Sequence, residues 1–283
     1  MKKLGTICVA MLCAAAGANA QQSQLERGKY LVEGILTCGN CHTPRGPGGV
    51  LDTKRAYSGG PQEWDTSWYK VKGSNITPDK ETGIGKWSVQ DIKRALTEGV
   101  RPNGQQLASI MPYGFYKIFQ PSDLDAVVAY IRSVAPVASK VQPPVYKAAI
   151  PVDVPPGAEK PLAAKEMRDP TVRGFYLVTI GHCMECHTPR DKEGRIDFKN
   201  ALGKGGEKFE GPWGVSVSRN ITSHRVHGLG AWSDAEIKRA ITQGVRKDGT
   251  KLKPPMGYDW YARMTDRDLD AIVAYLRTVP SGD

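Results

Sequence analysis

The sequence predicts an all-α protein built from two tandem copies of one domain of about 110 residues. The second half of the chain repeats the first at an offset of 145 residues. Both halves carry helix-capping signals, and both end in an apolar stripe with helical spacing. Neither half contains an alternating strand pattern of useful length.

The repeat aligns many positions of the two halves. Cys38 corresponds to Cys183, and Met111 corresponds to Met256. Further matched segments are Asn75–Thr77 with Asn220–Thr222, Gly85 and Trp87 with Gly230 and Trp232, and Lys93–Ala95 with Lys238–Ala240. Upstream, Gly28 matches Gly174 at an offset of 146, which requires a single deletion. A period this long predicts duplication of a whole domain rather than a solenoid.

Helix signals recur at equivalent positions of the two copies. A serine precedes an acidic residue by three positions, which predicts a capping box, and a glycine follows to end the helix. These residues are Ser88, Asp91 and Gly99, and Ser233, Glu236 and Gly244. The apolar stripes that predict the last helix of each copy are Leu124, Val127, Val128 and Ile131, and Leu269, Ile272, Val273 and Leu276.

The first 20 residues predict a secretory signal peptide. Lys2 and Lys3 precede an apolar run, and Ala18-Asn19-Ala20 supplies a cleavage site after Ala20. The run is shorter than the roughly 20 apolar residues that span a bilayer. No other segment reaches that length, so we expect an exported protein without a transmembrane segment.

A proline-rich stretch separates the two copies. Eight prolines lie between Val134 and Arg173, and this density predicts a semi-rigid, extended linker that can drape over a domain. The predicted organisation is a signal peptide at 1–20, a first domain at 21–135, a linker at 136–172 and a second domain at 173–283.

The chain is basic, with a formal net charge of +10 at pH 7. Cleavage of the signal peptide removes Lys2 and Lys3 and no acidic residue, which lowers this charge to +8. A basic surface favours acidic protein partners or association with an anionic membrane surface. We expect no nucleic-acid partner after export, because the sequence has no basic run with interleaved aromatic residues.

All four cysteines of the predicted mature chain lie in two C-x-x-C-H motifs, Cys38 to His42 and Cys183 to His187. Structural zinc sites combine knuckles that are commonly about 12–20 residues apart, whereas these motifs lie in separate repeats. A redox-active C-x-x-C would lie near a βαβ pattern, which is absent. C-x-x-C-H is the attachment signature of c-type haem. The sequence therefore predicts two covalently bound haems c, with Cys38, Cys41, Cys183 and Cys186 as attachment residues and His42 and His187 as iron ligands.

The sixth ligand of each iron is predicted from matched methionines. Met111 follows His42 by 69 residues, and Met256 follows His187 by 69 residues. A lone methionine is more often a core residue, but the same spacing in both copies favours ligation of the iron. The competitors in the second copy are Met184, which lies inside the attachment motif, and Met264, which aligns with Phe119 and so has no counterpart in the first copy.

Two further repeated pairs remain ambiguous. Trp87 and Trp232 can donate an indole N–H to a haem propionate or pack in the core. Arg45 and Arg190 can face a propionate or solvent. The long glycine-rich connections predict that each copy wraps around a large apolar cofactor.

These residues resemble tandem class I cytochrome c domains. The string "NITPDKETGIGKWSVQDIKRALTEGV … MPYGFY … DLDAVVAYIRSV" and its second copy are similar to the cytochrome c subunits of bacterial periplasmic dehydrogenases of the alcohol, gluconate and aldehyde or molybdenum-hydroxylase types. The resemblance implies all-α haem domains with His42/Met111 and His187/Met256 as axial pairs, in a periplasmic protein. Several such subunits carry three haems and this chain has two, so the particular dehydrogenase stays open.

The expected function is electron transfer without catalysis by the chain itself. The two haems would pass electrons from a periplasmic dehydrogenase to a terminal acceptor, with the chain acting as a stable subunit or as a transient carrier. The alternative is a haem enzyme, either a dihaem peroxidase or a thiosulfate-oxidising cytochrome. A peroxidase needs an iron that can open, which the matched methionines oppose. A thiosulfate enzyme with a cysteine-ligated haem needs a further cysteine, which the mature sequence lacks.

Overall fold

Helices dominate the computed structural model, which describes residues 21–211 and 213–282. The predicted signal peptide at 1–20 lies outside these residues. The helices of the first repeat are α1 (21–33), α2 (Cys38–His42), α3 (Val89–Thr97), α4 (Tyr113–Tyr116) and α5 (Pro121–Ser133). Those of the second are α6 (Pro170–Ile180), α7 (Cys183–His187), α8 (Asp234–Gln243), α9 (Tyr258–Tyr261) and α10 (Asp266–Leu276). No helix in the described residues is long and apolar enough to cross a bilayer.

The predicted capping boxes are both confirmed. Ser88 Oγ accepts a hydrogen bond from the Asp91 N–H, and Ser233 Oγ accepts one from the Glu236 N–H. Each acidic side chain in turn accepts from the backbone N–H of its serine, which satisfies two of the unpaired donors of the first turn. Gly244, at φ 62°, caps α8 at the predicted position because a residue without Cβ enters the left-handed region without strain.

The first and last helices of each repeat cross at a glycine. A Cβ on Gly28 would lie 2.0 Å from the carbonyl oxygen of Ala126, and one on Gly174 would lie 1.9 Å from that of Ala271. Any larger residue would therefore push α1 away from α5, or α6 away from α10. The predicted apolar stripes of α5 and α10 face these crossings, with Val127 fully buried and Ile272 3% exposed.

The two repeats share one continuous hydrophobic core. Leu31 and Val127 from the first repeat belong to the same buried cluster as Leu177 and Ile272 from the second. Phe115 and Phe198 meet edge to face across the boundary, with ring centroids 5.9 Å apart. Domains that move relative to one another have smaller and more polar interfaces, so this shared core favours a fixed arrangement of the repeats.

Two buried carboxylates also join the repeats. Asp123, on α5, accepts two hydrogen bonds of 2.8 Å from Arg27 of its own repeat and one of 2.8 Å from the Tyr176 hydroxyl of the second repeat. Asp123 is 4% exposed, so these bonds replace the water that its charge has lost.

The same cluster recurs with the roles of the repeats exchanged. Asp268, on α10, accepts a 2.6 Å bond from Arg173 Nε and a 2.7 Å bond from the Tyr30 hydroxyl of the first repeat. Asp268 is 1% exposed. We call these two clusters, Arg27–Asp123–Tyr176 and Arg173–Asp268–Tyr30, the interdomain clasps.

The all-α prediction is only partly confirmed, because the described residues also form two small antiparallel sheets. The first contains β1 (Glu63–Asp65), β2 (Tyr69–Lys72) and β3 (Val145–Tyr146), in that order. The second contains β4 (Lys208–Gly211) and β5 (Gly214–Val217). These strands have two to four residues, which is too short for an alternating pattern to be recognised in the sequence.

The proline-rich segment 136–172 packs against both repeats. It supplies β3 to the first sheet, and the Leu162 N–H donates to the carbonyl of Ile118 at 3.0 Å. Its Asp153 accepts a 2.6 Å hydrogen bond from Arg195 of the second repeat. The predicted linker and its boundaries at 135 and 172 remain predictions.

Candidate functional site

Each C-x-x-C-H motif forms one short helix, and the histidine at its end is held by a backbone carbonyl. His42 Nδ1 lies 2.7 Å from the carbonyl oxygen of Ser74, and His187 Nδ1 lies 2.7 Å from that of Arg219. A carbonyl oxygen can only accept, so Nδ1 carries the proton and Nε2 keeps its lone pair. Burial lowers the pKa of both imidazoles, which favours this neutral form. A carbonyl that accepts a hydrogen bond from the other ring nitrogen commonly orients a metal-binding histidine.

The four thiols of the motifs are free. Burial raises the pKa of Cys38 and of Cys183 to about 12. The described residues contain no group of three or more His, Cys, Asp or Glu side chains that could hold a metal ion. A structural zinc site usually needs four such ligands, so the two motifs do not form one within the described residues.

The residues predicted to contact the cofactor lie around the shared core without being fully covered by it. The first cysteine, the matched methionine and the repeated tryptophan of each copy all pack against the core as partly buried side chains. They are Cys38, Met111 and Trp87 in the first repeat and Cys183, Met256 and Trp232 in the second. Met264, the competing methionine, lies inside the core and is 7% exposed. An apolar surface with a free thiol, a thioether and an oriented imidazole fits a haem.

Glycines allow the loops to approach the first motif closely. A Cβ on Gly60 or on Gly73 would lie 1.9 Å from the carbonyl oxygen of Cys41. The Gly59 N–H also donates to the carbonyl of His42 at 2.8 Å, and the equivalent bond in the second repeat joins Gly205 to His187. These contacts explain why the connections are rich in glycine.

Residues of the second repeat lie close to the first attachment helix. A Cβ on Gly39 of α2 would lie 2.4 Å from the indole ring of Trp260 of the second repeat. Burial raises the pKa of Cys41 to about 11, and the nearby Glu185 carboxylate of the second motif adds to this rise. Burial is also the main cause of the raised pKa of Cys186, and Cys41 contributes to it.

Sequence reasoning did not identify two buried tyrosines at this junction. Tyr116 lies close to the thiols of the first motif and to Glu185, and Tyr261 lies close to the thiols of the second motif. Both hydroxyls have a pKa well above the usual value because they are buried. Their recurrence at the offset of 145 was a signal that could have found them.

The arginines that follow the motifs bind protein groups. Arg45 donates to the Asn40 side chain inside the first motif at 2.8 Å and to the Gly49 carbonyl at 2.9 Å. Arg190 donates to the Gly194 carbonyl at 3.0 Å. Each guanidinium therefore stabilises the loop that leaves its attachment helix.

Comparison with known proteins agrees with this geometry. The model of the cytochrome c family matches residues 25–135 and 172–280. The chain belongs to the cytochrome c family. Its two domains carry two covalently bound haems c, and it is an electron carrier.

Several curated cytochromes are similar to almost the whole chain. The gluconate 2-dehydrogenase cytochrome c subunit of Pantoea cypripedii is 31% identical over 99% of this chain and 64% of its own length. The fructose dehydrogenase cytochrome subunit of Gluconobacter japonicus is 30% identical over 93% of this chain and 54% of its own length. A diheme cytochrome c-type protein of Cereibacter sphaeroides is 29% identical over 86% of this chain and 82% of its own length. The chain thus spans between about half and two thirds of the two dehydrogenase subunits.

Proposed function

We propose that this cytochrome c accepts electrons from a dehydrogenase and passes them through its two haems to a downstream acceptor, as a haem subunit or partner of that enzyme. The relatives include subunits of gluconate, fructose and alcohol dehydrogenases. This suggests an electron donor that oxidises sugars, sugar acids or alcohols. The shared hydrophobic core carries the proposal, since it joins the two repeats that bind the haems.

The proposed binding residues follow the two motifs. Cys38 and Cys41 hold the first haem and Cys183 and Cys186 the second. His42 with Met111, and His187 with Met256, are the proposed axial pairs, and Trp87 and Trp232 are proposed propionate contacts. When bound, the haem supplies a reversible one-electron change of its iron. The carbonyls of Ser74 and Arg219 orient the histidines, and the apolar core excludes water from the iron.

The proposed organisation is the one predicted from the sequence. We propose a first haem domain at 21–135, a linker at 136–172 and a second haem domain at 173–283. A signal peptide at 1–20, cleaved after Ala20, would deliver the protein to the periplasm. Its basic charge would favour an acidic partner or an anionic membrane surface.

The first test counts the haems. The intact mass of the mature protein should equal the chain from Gln21 plus two haems. Cys38→Ala should leave the first haem held through Cys41 alone, and the double variant Cys38→Ala/Cys41→Ala should release it under denaturing conditions. A mass with one haem or with bound zinc would contradict the proposal.

The second test separates a transient carrier from a stable subunit. Stopped-flow reduction by the dehydrogenase should slow steeply as added salt shortens the Debye length from ~30 Å at 0.01 M to ~10 Å at 0.1 M. A rate independent of salt, together with co-purification, would indicate a stable subunit instead. Rapid peroxide or thiosulfate turnover by the isolated cytochrome would contradict both and favour a haem enzyme.

A further inference from the structure

The two β-hairpins of the molecule are equivalent down to their register. In the first repeat Trp64 of β1 pairs with Val71 of β2. In the second repeat Phe209 of β4 pairs with Ser216 of β5, at the same offset of 145 residues. Because the register is shared, each backbone position of β5 corresponds to a known position of β2.

The outer edge of β2 is occupied by the proline-rich segment. The Thr66 N–H donates to the carbonyl of Tyr69, so the backbone of Tyr69 faces β1 and that of Lys70 faces outward. There Lys70 pairs with Val145 of β3, and the Lys147 N–H donates to the carbonyl of Trp68 at 2.8 Å. The first repeat therefore completes its sheet with an extended segment of the same chain.

The corresponding edge of β5 has no third strand among the described residues. Val215 and Val217 stand where β2 has Lys70 and Lys72, and their side chains are 51% and 41% exposed. Edge strands of natural proteins are usually protected by charged residues, and lysine is the commonest of them. The β5 edge carries no such charge at these two positions and exposes valines instead.

An acidic residue next to this edge also lacks an ion-pair partner among the described residues. In the first repeat the ammonium group of Lys147 binds the carboxylate of Asp65 and the carbonyl of Thr66. Glu210 is the counterpart of Asp65, is exposed, and makes no ion pair within the described residues. It lies where it could bind a basic residue that follows an added strand.

We propose that the β5 edge is a docking site for an extended segment of a partner protein, which adds as a third strand and places a basic residue against Glu210. The occupant should resemble β3, with two apolar or aromatic residues followed by lysine or arginine. The main-chain hydrogen bonds would supply affinity, and the contact with Val215 and Val217 would supply specificity. This proposal does not depend on the identity of the electron donor.

The probe is a synthetic peptide with the sequence of residues 142–149, which contains the chain's own β3. It is titrated into the reduced, isotope-labelled holoprotein and followed by amide chemical shifts. We expect saturable shifts confined to 208–217, with a dissociation constant of about 1 mM or lower. No saturation, or shifts elsewhere in the protein, would overturn the proposal.

Variants then test the backbone and the charge separately. Val215→Pro removes the outward N–H of an edge strand, where proline is tolerated, and should weaken binding by about tenfold or more. The control is Val226→Lys, which removes an exposed valine outside the β5 edge and should bind the peptide normally. Proline is not used at this position because the Val226 N–H is hydrogen-bonded to His224. Binding unchanged by Val215→Pro would overturn the proposal.

A charge exchange tests the role of Glu210. Glu210→Lys should weaken binding of the original peptide, and a peptide with glutamate at the lysine position should restore it. If the glutamate peptide did not restore binding to Glu210→Lys, the basic residue of the peptide would not contact Glu210, and that part of the proposal would be wrong. Analytical ultracentrifugation tests whether two copies of the chain pair through this edge. A wild-type dimer that becomes monomeric in Val215→Pro would show that a second copy occupies the edge, and would overturn the proposal of a different partner protein.

Discussion

Met256 and Met264 differ in burial. Both follow the second attachment motif in the sequence, but Met264 is 7% exposed inside the core whereas Met256 is only partly buried at its border. The internal repeat predicts a different role for each, since Met256 has the counterpart Met111 and Met264 aligns with Phe119. A side chain that must reach a cofactor cannot be fully packed against protein.

We predict that Met256→His changes the second haem and spares the fold. A nitrogen ligand in place of the thioether should lower the reduction potential of that haem and remove about half of the weak red absorption of sulfur-ligated ferric haem. Redox titration followed by absorption measures both effects.

Met264→Ala is the matched comparison. Removal of this buried side chain should cost about 2–5 kcal/mol of unfolding free energy and leave the red absorption intact. Loss of that absorption in Met264→Ala, with Met256→Ala unaffected, would reverse the ligand assignment.

The helices were predictable because their signals are local. The serine caps and the stripes of α5 and α10 lie within single stretches of sequence, and the structure places them as expected. The sheets were not predictable, because β3 pairs with a strand more than 70 residues away and contributes only two residues of its own. Strand pairing over such a distance leaves no local pattern to recognise.

At the level of elements, we predict that Gly174→Ala destabilises the protein. Alanine in a helix interior normally stabilises by about 1 kcal/mol relative to glycine. Here its Cβ would lie 1.9 Å from the carbonyl oxygen of Ala271, so α6 and α10 must separate and the sign should reverse. Guanidinium unfolding of the holoprotein measures the change.

Gly46→Ala is the control for that experiment. A Cβ on Gly46 would have only one neighbour within 4 Å, at 3.9 Å, and its φ of −86° is open to any residue. This variant should change the unfolding free energy by no more than about 0.5 kcal/mol. A stabilised Gly174→Ala protein would show that the crossing tolerates a side chain.

At the level of the whole molecule, the clasps and the shared core join the two repeats. The sequence predicted two domains and a linker, but a contact between repeats depends on which surfaces meet, and neither Asp123 nor Tyr176 carries a local signal of it. For the same reason the position of Glu185 beside the first motif could not be foreseen.

We predict that removing the tyrosine hydroxyls of the clasps weakens the contact between the two repeats and lowers the free energy of unfolding. Tyr176→Phe and Tyr30→Phe should each cost about 1–3 kcal/mol, since each leaves a buried carboxylate with one bond fewer. Wild-type unfolding should be a single transition by haem absorption and by fluorescence, and the double variant should separate the two signals.

Tyr146→Phe is the matched control, because its buried hydroxyl has no hydrogen-bond partner within the described residues. It should leave stability unchanged or slightly raise it. If the clasp variants were as stable as this control, the hydrogen bonds from the arginines alone would be enough to stabilise the buried carboxylates.

The exchange of roles between the clasps has a consequence for the origin of the chain. Each repeat offers one tyrosine and receives one at its aspartate, which is how one surface meets a copy of itself around a twofold axis. A single ancestral domain with both residues already had everything needed to pair with its twin. Gene duplication would then have fused a homodimer, turning an encounter that depended on concentration into a permanent one.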